Sequence, residues 1–342
     1  MKAILFRQHG GPEVLQYVDV PEPEPCPNEV LVRVRACALN HLDLWVRGGL
    51  PNVQVPLPHI PGSDVAGEIA EIGAEVAGVR VGQRVVLAPV VSCGKCPACV
   101  AGLDNRCRLA TNLGYMIDGG CAEFVRAPEV NCLPYPENLS FEEAAAIPLV
   151  FQTAWHMLIA RAQLQPGETV LILGAGSGVG SAAIQIAKFF GGRVITTAGS
   201  EAKLEKARQL GADHMINYKT QKIRDEVRRI TNKRGADVVF EHVGTATWDD
   251  SLASLAPAGR LVTCGNTTGY DAKIDLRFLF SRQLSLLGSY MGVKSELLTI
   301  MKLVSAGHLK PVVDRIFPLQ EAAAAHAYLE SGQQFGKVVL KV

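Results

Sequence analysis

The stretch Thr169-Val-Leu-Ile-Leu-Gly-Ala-Gly-Ser-Gly-Val-Gly180 joins a short apolar run to a turn rich in glycine. An amphipathic segment, Gly178–Phe190, follows directly. Glycines in such a strand–turn–helix let the backbone turn sharply and approach a pyrophosphate, and the helix N-terminus offers free amides. The strict G-x-G-x-x-G spacing fails at Val179, and the run fits better as Ala175, Gly178 and Gly180 with one offset. We therefore predict a nucleotide site at Ala175, Gly176, Gly178, Val179 and Gly180.

Strands and helices alternate on both sides of this turn. The pattern predicts strands at Thr169–Leu173, Arg193–Thr197, Val238–Phe240 and Arg260–Cys264, with a helix at Glu201–Leu210. Alternation of this length indicates an α/β fold with a doubly wound parallel sheet.

The first third of the chain has a different pattern. Glu29–Ala38 alternates with a period of two, and Val65–Glu71 and Val85–Val91 read similarly between Gly/Pro turns. This predicts an all-β, partly barrel-like unit. The pattern changes near Ser140, which is placed to cap a helix. From about Ser295 the sequence predicts a helix, a loop and a final strand, Lys337–Val342.

Four cysteines, Cys93, Cys96, Cys99 and Cys107, have C-x2-C-x2-C-x7-C spacing in a Gly/Pro-rich loop. Four sulfur ligands leave no open coordination position, which is typical of a structural zinc site. Buried thiols, a disulfide pair or an iron–sulfur cluster are the alternatives. The ferredoxin spacing places its fourth Cys after three residues and before Pro, whereas Cys107 follows after seven and precedes Arg108. We predict one structural zinc ion per chain.

The composition excludes several classes of protein. The chain has 342 residues, 48% hydrophobic and 20% charged, with a formal net charge of +1 and no basic block, which argues against a nucleic-acid or membrane-surface partner. No apolar stretch approaches a membrane span, and the first residues do not resemble a signal peptide. The nine cysteines are an odd number, and five are scattered outside the loop. We expect a reducing cytoplasm and a small-molecule substrate.

The end of the second predicted strand bears on the choice of cofactor. NAD sites usually carry Asp or Glu there to bind the ribose hydroxyls. Here the strand ends Thr-Thr-Ala-Gly-Ser200, and Ser200 and Lys203 could meet a 2′-phosphate. This favours NADP(H) over NAD(H). The alternative is that Ser200 only caps a helix and Lys203 is a solvated surface charge.

Four motifs together resemble the medium-chain dehydrogenase/reductase superfamily, which includes zinc alcohol dehydrogenases and quinone reductases. They are the Cys loop, Pro61-Gly-Ser-Asp-Val-Ala-Gly67, Asp118-Gly-Gly-Cys-Ala-Glu-Phe124 and the nucleotide turn, and the closing Phe335-Gly-Lys-Val-Val-Leu340 is also similar. The resemblance implies a GroES-like β domain at 1–150, completed by 291–342, and a Rossmann domain at 151–290. The active cleft would lie between them, and Thr153 would contact the cofactor.

The resemblance also identifies the positions of a catalytic zinc. Zinc-dependent members have Cys where this chain has Asn40, His where it has Ser63, Glu at Asp64 and Cys at Leu149, and Leu42 replaces the hydroxyl that starts the proton relay. Amide and hydroxyl oxygens are poor zinc ligands, and leucine offers none. The run Asn40 to Asp43 resembles the zinc-free quinone reductases. Asn40, His41, Asp43 and Asp64 are the candidate catalytic residues.

The first hypothesis is therefore a reductase of enones or quinones in which Asn40 hydrogen-bonds substrate or ribose. An alcohol dehydrogenase with a rearranged metal site, using His41, His59 and Asp64, is the second. A non-catalytic nucleotide-binding protein, like the crystallins recruited from this superfamily, is the third. The resemblance assigns His41 to the cofactor phosphates, while His59 could simply be a loop residue.

Three further features are predicted, and none of them decides which reaction the protein catalyses. His242 follows a Rossmann strand, and a packing role at the nicotinamide side is favoured over proton donation, as for Tyr115. The superfamily usually forms dimers or tetramers through the edge of the Rossmann sheet, and Arg282–Tyr290 is the apolar candidate for that edge. The alternative is that Arg282–Tyr290 forms an interior strand of the Rossmann sheet.

Overall fold

The computed structural model describes all 342 residues, which form two compact units. The first unit combines both ends of the chain, Met1–Val150 and Val293–Val342, and the second is Phe151–Gly292. None of the helices combines the length and the apolar composition needed to cross a bilayer.

The N-terminal part of the first unit consists of short strands and helices. In chain order these are β1 (Lys2–Leu5), β2 (Gln16–Asp19), β3 (Glu29–Ala38), α1 (His41–Gly48), β4 (Asp64–Ile72), β5 (Arg84–Leu87), β6 (Val90–Val91), α2 (Pro97–Val100), β7 (Thr111–Asn112), β8 (Phe124–Pro128), β9 (Cys132–Leu133) and α3 (Phe141–Ala145).

The second unit alternates strands and helices. Its elements, with the helix that leads into it, are α4 (Pro148–Trp155), β10 (Thr169–Ile172), α5 (Gly178–Phe189), β11 (Arg193–Ala198), α6 (Glu201–Gln209), β12 (His214–Asn217), α7 (Ile223–Ile230), β13 (Ala236–Glu241), α8 (Trp248–Ala253), β14 (Leu255–Thr263), α9 (Leu276–Ser281) and β15 (Ser285–Gly288). The chain then returns to the first unit with α10 (Lys294–Ser305), β16 (Val313–Pro318), α11 (Ala322–Glu330) and β17 (Lys337–Lys341).

A seven-stranded sheet organises the first unit, in the order β16-β17-β3-β4-β5-β9 with β8 also paired to β3. β4 lines one side of β3, while β8 pairs with the first half of β3 and β17 with its last residues, Ala36–Ala38. The core is formed by the inward-facing apolar residues of these strands. The final strand of the chain therefore lies beside the end of β3, next to Asn40.

One predicted strand of this unit is wrong. Val85–Val91 forms two strands, β5 and β6, which belong to different sheets. Pro89 lies between them and has no backbone N–H to donate to a ladder. The predicted helix cap is confirmed, because the Ser140 hydroxyl accepts a hydrogen bond from the Glu143 amide at 3.1 Å.

The predicted doubly wound parallel sheet is confirmed in the second unit. Six strands lie in the order β12-β11-β10-β13-β14-β15, and every pair is parallel. The carboxyl ends of parallel strands share one edge of a sheet, where ligands bind in this type of fold. The turns after β10, β11 and β13 therefore meet at that edge.

Candidate active site and zinc loop

The four loop cysteines lie together, as their spacing predicts. Their sulfur atoms all fall within 4.8 Å of one another, with 3.5 Å between Cys93 and Cys107 and between Cys96 and Cys99. A tetrahedral zinc ion with bonds of about 2.3 Å separates its sulfur ligands by about 3.8 Å, so the cluster fits this ion. Backbone N–H groups of Lys95 and Cys96 lower the pKa of the Cys93 thiol to about 6, which favours the metal-binding thiolate.

The zinc loop is also fixed from outside. Asp104, within the loop, accepts hydrogen bonds from the backbone N–H of Lys294 at 3.2 Å and from its ammonium at 3.1 Å. Lys294 is the first residue of α10. The metal loop therefore anchors the point where the chain re-enters the first unit, which is a structural role.

The glycine turn after β10 has the geometry of a phosphate site. Gly174 has a φ of +62°, and a Cβ on Gly180 would lie 2.3 Å from the Gly174 carbonyl oxygen, so a larger residue at either position would disturb the turn. The Ser177 hydroxyl caps α5 by accepting from the Gly180 amide. The amides of Gly176, Gly178 and Val179 have no partner within the chain. These N–H groups could hold a dinucleotide pyrophosphate.

Side chains from two strand ends meet beside Gly199. The Ser200 hydroxyl caps α6 by accepting from the Lys203 amide at 3.4 Å, so the capping alternative describes Ser200. A Cβ on Gly199 would lie 2.6 Å from the Tyr218 hydroxyl and 3.2 Å from Cε of Lys219. The sequence interpretation missed Tyr218 and Lys219. No local spacing reveals them, because they follow β12, whose place beside β11 is set by the order of strands in the sheet.

Two further predicted residues of the second unit have well-defined surroundings. The Nε2–H of His242 donates to the Leu173 carbonyl at 2.8 Å, and the Ser177 hydroxyl lies 3.3 Å from the same nitrogen. Burial lowers the pKa of His242. A neutral imidazole packed under the turn matches the predicted packing role. The Thr153 hydroxyl is buried and has no partner within the chain, so it remains available to a ligand.

The substituted metal site is filled by a buried hydrogen-bond cluster. Asp64 is fully buried, and the ammonium of Lys337 lies 2.8 Å from its Oδ2. Asn40 accepts from the same ammonium at 2.6 Å and donates to Asp64 at 3.0 Å. The second oxygen of Asp64 accepts from the Leu149 amide at 2.8 Å. The Ser63 hydroxyl donates away from the cluster, to the Leu113 carbonyl.

This geometry changes the role predicted for Asn40. Its carboxamide bonds Lys337 and Asp64 inside the chain, so it organises the cluster rather than offering a free polar group to substrate or ribose. The sequence interpretation missed Lys337, although the closing Phe335–Leu340 motif that contains it was noticed. The residue is 273 positions from Asp64, and no local spacing reveals such a pair.

Asp43 supports the cluster from α1. Its carboxylate accepts from the backbone amides of Asn40 at 2.7 Å and Gly62 at 2.9 Å, which ties the start of α1 to the Pro61–Asp64 loop. Burial raises the pKa of Asp43 to about 6, against the lowering effect of these hydrogen bonds and of Lys337. The other candidates lie apart: His41 begins α1 with its ring near Trp45, and His59 is buried edge-on against Phe6.

Comparisons with known proteins agree with this architecture. Residues 26–137 match the alcohol dehydrogenase GroES-like domain family and residues 178–306 the zinc-binding dehydrogenase family. An NAD-dependent alcohol dehydrogenase of Sulfolobus acidocaldarius is 35% identical over the whole of both chains, and a quinone oxidoreductase of Pseudomonas aeruginosa is 34% identical over 99% of each. The chain belongs to the medium-chain dehydrogenase/reductase superfamily.

A solved structure supports the same assignment. The crystal structure of an NAD-dependent alcohol dehydrogenase is 49% identical, superposes with a TM-score of 0.97 and covers all of both chains. The chain is thus an oxidoreductase of this superfamily, with its GroES-like and Rossmann domains.

The two metal sites known in the superfamily differ in how well this chain fits them. The Cys93 loop supplies four converging thiols for a structural zinc. The catalytic zinc site does not fit, because Leu149 contributes only its backbone amide, Ser63 donates elsewhere, and both oxygens of Asp64 are engaged. Lys337 is hydrogen-bonded to both Asn40 and Asp64. We derive no catalytic step from a metal ion.

The raised pKa of Asp43 predicts a specific pH dependence of stability. Between pH 4 and 6 the native state retains a proton that the unfolded state has released, so this contribution to stability is present below pH 4 and is lost as the pH rises through 6. A shift of about two units corresponds to about 3 kcal/mol. The free energy of unfolding of Asp43→Asn, relative to the unmodified protein, should therefore increase by up to about 3 kcal/mol from pH 4 to 7.

Urea unfolding at several pH values measures this difference. The exposed Asp271, changed to Asn, is the control and should leave the pH dependence unaltered. Parallel stability curves for the unmodified protein and Asp43→Asn would contradict the shift.

Proposed function

We propose that this protein is an NADP(H)-dependent reductase of α,β-unsaturated carbonyl compounds or quinones, acting without a catalytic metal. The observation that carries this proposal is the set of residues at the metal-ligand positions of zinc-dependent relatives: the Asn40 side chain bonds Asp64, the Ser63 hydroxyl donates to the Leu113 carbonyl, and Leu149 offers only its backbone amide. An unactivated alcohol needs a Lewis acid to lose its proton before hydride transfer. The Lys337 ammonium carries a single positive charge and cannot coordinate an alkoxide as a metal ion does.

A conjugated substrate requires less from the protein. Hydride adds to the β-carbon, the C=C electron pair moves toward the carbonyl, and the oxygen takes the negative charge as an enolate. A proton from solvent then adds to the α-carbon, so that the double bond is reduced by two electrons. Hydrogen-bond donors in a dry site can stabilise the enolate oxygen without a metal. When bound, the reduced nicotinamide supplies the hydride, and the amides of Gly176, Gly178 and Val179 would hold its pyrophosphate.

A substrate panel together with a zinc measurement tests this function. We expect reduction of enones and benzoquinones, no oxidation of primary or secondary alcohols, and one zinc ion per chain by elemental mass spectrometry. Cys107→Ser should reduce the zinc content to near zero, whereas Cys26→Ser, at an exposed cysteine outside the loop, should leave it unchanged. Two zinc ions per chain with alcohol oxidation would establish the competing function, which the names of several relatives carry.

The preference for NADP(H) rests on the end of β11. Gly199 and Ser200 follow the strand directly, and the first carboxylate after them, Glu201, is already hydrogen-bonded to Asn217 rather than free for ribose hydroxyls. Tyr218 and Lys219 lie beside Gly199, and Lys203 lies in the first turn of α6. A cationic and hydroxyl-bearing surface at this point suits a 2′-phosphate.

Replacing Lys219 tests the cofactor preference. Lys219→Ala should lower kcat/KM for NADPH about tenfold while changing that for NADH by less than twofold, because the 2′-phosphate loses one charge-assisted hydrogen bond. Lys222→Ala, at another exposed lysine three positions on, is the matched control. Equal efficiency of the unmodified protein with both cofactors, or a preference for NADH, would contradict the proposal.

We also propose that the protein dimerises through the free edge of the Rossmann sheet. β15 is the last strand of that sheet, and Leu286, Phe280 and Tyr290 in and around it are exposed. An edge strand with exposed apolar side chains tends to pair with another strand. Sedimentation analysis should show a dimer or tetramer, and Leu286→Glu should shift it toward monomer.

The control for this edge is Val81→Glu, at an exposed apolar residue of the other unit. A monomeric unmodified protein, or equal dissociation by both substitutions, would argue against this interface.

A further inference from the structure

Two buried cysteines outside the zinc loop have their sulfur atoms next to each other. The Cys121 thiol donates a hydrogen bond to the Cys37 sulfur, with 3.8 Å between the two sulfur atoms, and neither residue is exposed to solvent. Cys37 lies near the end of β3, whereas Cys121 lies 84 positions later in the chain, just before β8. Neither residue takes part in the proposed reductase chemistry, so the pair is independent of that function.

The backbone holds both cysteines in place. Cys37 belongs to a stretch of β3 that is paired with β4 on one side and with β17 on the other. The Cys121 amide donates to the Pro61 carbonyl at 3.0 Å, and the Cys121 carbonyl accepts from the Ile4 amide at 2.8 Å. The sulfur atoms would have to approach by about 1.8 Å to form a disulfide bond. Rotation of the two side chains can supply a movement of this size while the backbone pairing stays intact.

The two sulfur atoms pack against the backbone of Gly62. A Cβ on Gly62 would lie 2.6 Å from the Cys37 sulfur and 2.7 Å from the Cys121 sulfur, so only glycine leaves room for the pair. The Gly62 amide donates to Asp43 at 2.9 Å, and Asp64 follows two positions later. A bond between the sulfur atoms would therefore form directly beside the loop that carries Asp64.

We propose that Cys37 and Cys121 are a site of reversible oxidation, at which a peroxide converts the two thiols to a disulfide that locks β3 to the segment before β8. One thiolate attacks an oxygen of hydrogen peroxide, the O–O bond breaks, hydroxide leaves, and the sulfur becomes a sulfenic acid. The second thiol attacks this sulfur, so that the S–S bond forms and the S–O bond breaks. Each sulfur loses one electron, the peroxide gains two, and the released protons complete two water molecules.

The surroundings of the pair make this oxidation slow. The hydrogen bond from Cys121 and burial raise the pKa of the Cys37 thiol well above its usual range, and the charges of Asp43 and Asp64 act in the same direction. Since the thiolate is the reactive form, little of the pair reacts at neutral pH. Peroxide reaches buried sulfur atoms during local opening of the structure. The disulfide should therefore form during sustained exposure to peroxide rather than in a brief pulse.

A different role for the pair predicts a different result. Free cysteines often serve as small apolar residues in a protein core. Two such residues would remain thiols for as long as the protein stays folded, whatever the distance between their sulfur atoms.

Peptide mapping of the zinc-containing protein after treatment with hydrogen peroxide separates the two roles. The protein is treated at pH 7 and pH 8, alkylated in denaturant, digested and analysed by mass spectrometry. Bound zinc is measured in parallel, because peroxide also oxidises zinc-bound thiolates. Cys37→Ala removes one partner of the pair. Cys132→Ala is the matched control, at another buried cysteine, whose sulfur instead donates to the Pro128 carbonyl at 3.7 Å.

We expect a peptide pair joined through Cys37 and Cys121, which dithiothreitol separates again and which Cys37→Ala does not form. Its rate of formation should rise about five- to tenfold from pH 7 to pH 8, as the thiolate fraction increases. The cross-linked protein should unfold at a higher urea concentration than the reduced protein, because closing a loop of 84 positions restricts the unfolded chain. Cys132→Ala should form the same cross-link at the unmodified rate.

Several results would overturn the proposal. Cysteines that stay reduced in the folded protein, but oxidise once urea unfolds it, would be core residues only. Sulfinic acid at Cys37 or Cys121 without a cross-link would show that the sulfur atoms do not meet, and a lowered urea midpoint would show that the fold does not accept the bond. If Cys37→Ala does not fold, Cys121→Ala serves as the variant without the cross-link. All of these results leave the proposed reductase function intact.

Discussion

The buried contact between Lys337 and Asp64 joins parts of the chain that are far apart in sequence. It links the start of the final strand to the start of β4, and through Asn40 and Leu149 it reaches the beginnings of α1 and α4. Burying two charges is costly, and their attraction offsets this cost only when the remaining hydrogen bonds are also satisfied. Asn40 and the Leu149 amide satisfy them. Asn40, Asp64, Lys337 and the Leu149 amide therefore form one cluster whose hydrogen bonds satisfy one another.

The cysteine loop and the cluster at Asp64 share no residues and have different roles. The four thiols lie within fifteen residues, and the loop is fixed to α10 through Asp104 and Lys294. A zinc ion held by the four thiols would stabilise this segment, and sulfur would close all of its coordination positions. The cluster at Asp64 involves none of these residues. The cysteine loop and the residues around Asp64 can therefore differ independently between relatives, in keeping with the mixture of two subfamily patterns in this sequence.

The sequence predicts those features whose determinants are close together. The strand–turn–helix at Thr169–Gly180 and the alternation after it identify the parallel sheet, and the spacing of the cysteines identifies their convergence. Pairs such as Lys337 with Asp64, or Tyr218 with Gly199, depend on how strands are placed in space, and no local spacing encodes that. Val85–Val91 divides into two strands because Pro89 lies between them. The two-residue periodicity of the apolar residues did not show this break.

The hydrogen-bonding groups around Asp64 bear on the chemistry proposed for this protein. A zinc ion carries two charges and binds an alkoxide directly, so it can stabilise an alcohol after the loss of its proton. An ammonium carries one charge, which is already partly balanced by Asp64, and it interacts with an oxygen only through a hydrogen bond. Such a donor suits an oxyanion whose charge is delocalised over a conjugated system, since less charge must be stabilised at any one atom. On this reasoning, the proposed reductase would act on conjugated acceptors rather than on simple alcohols.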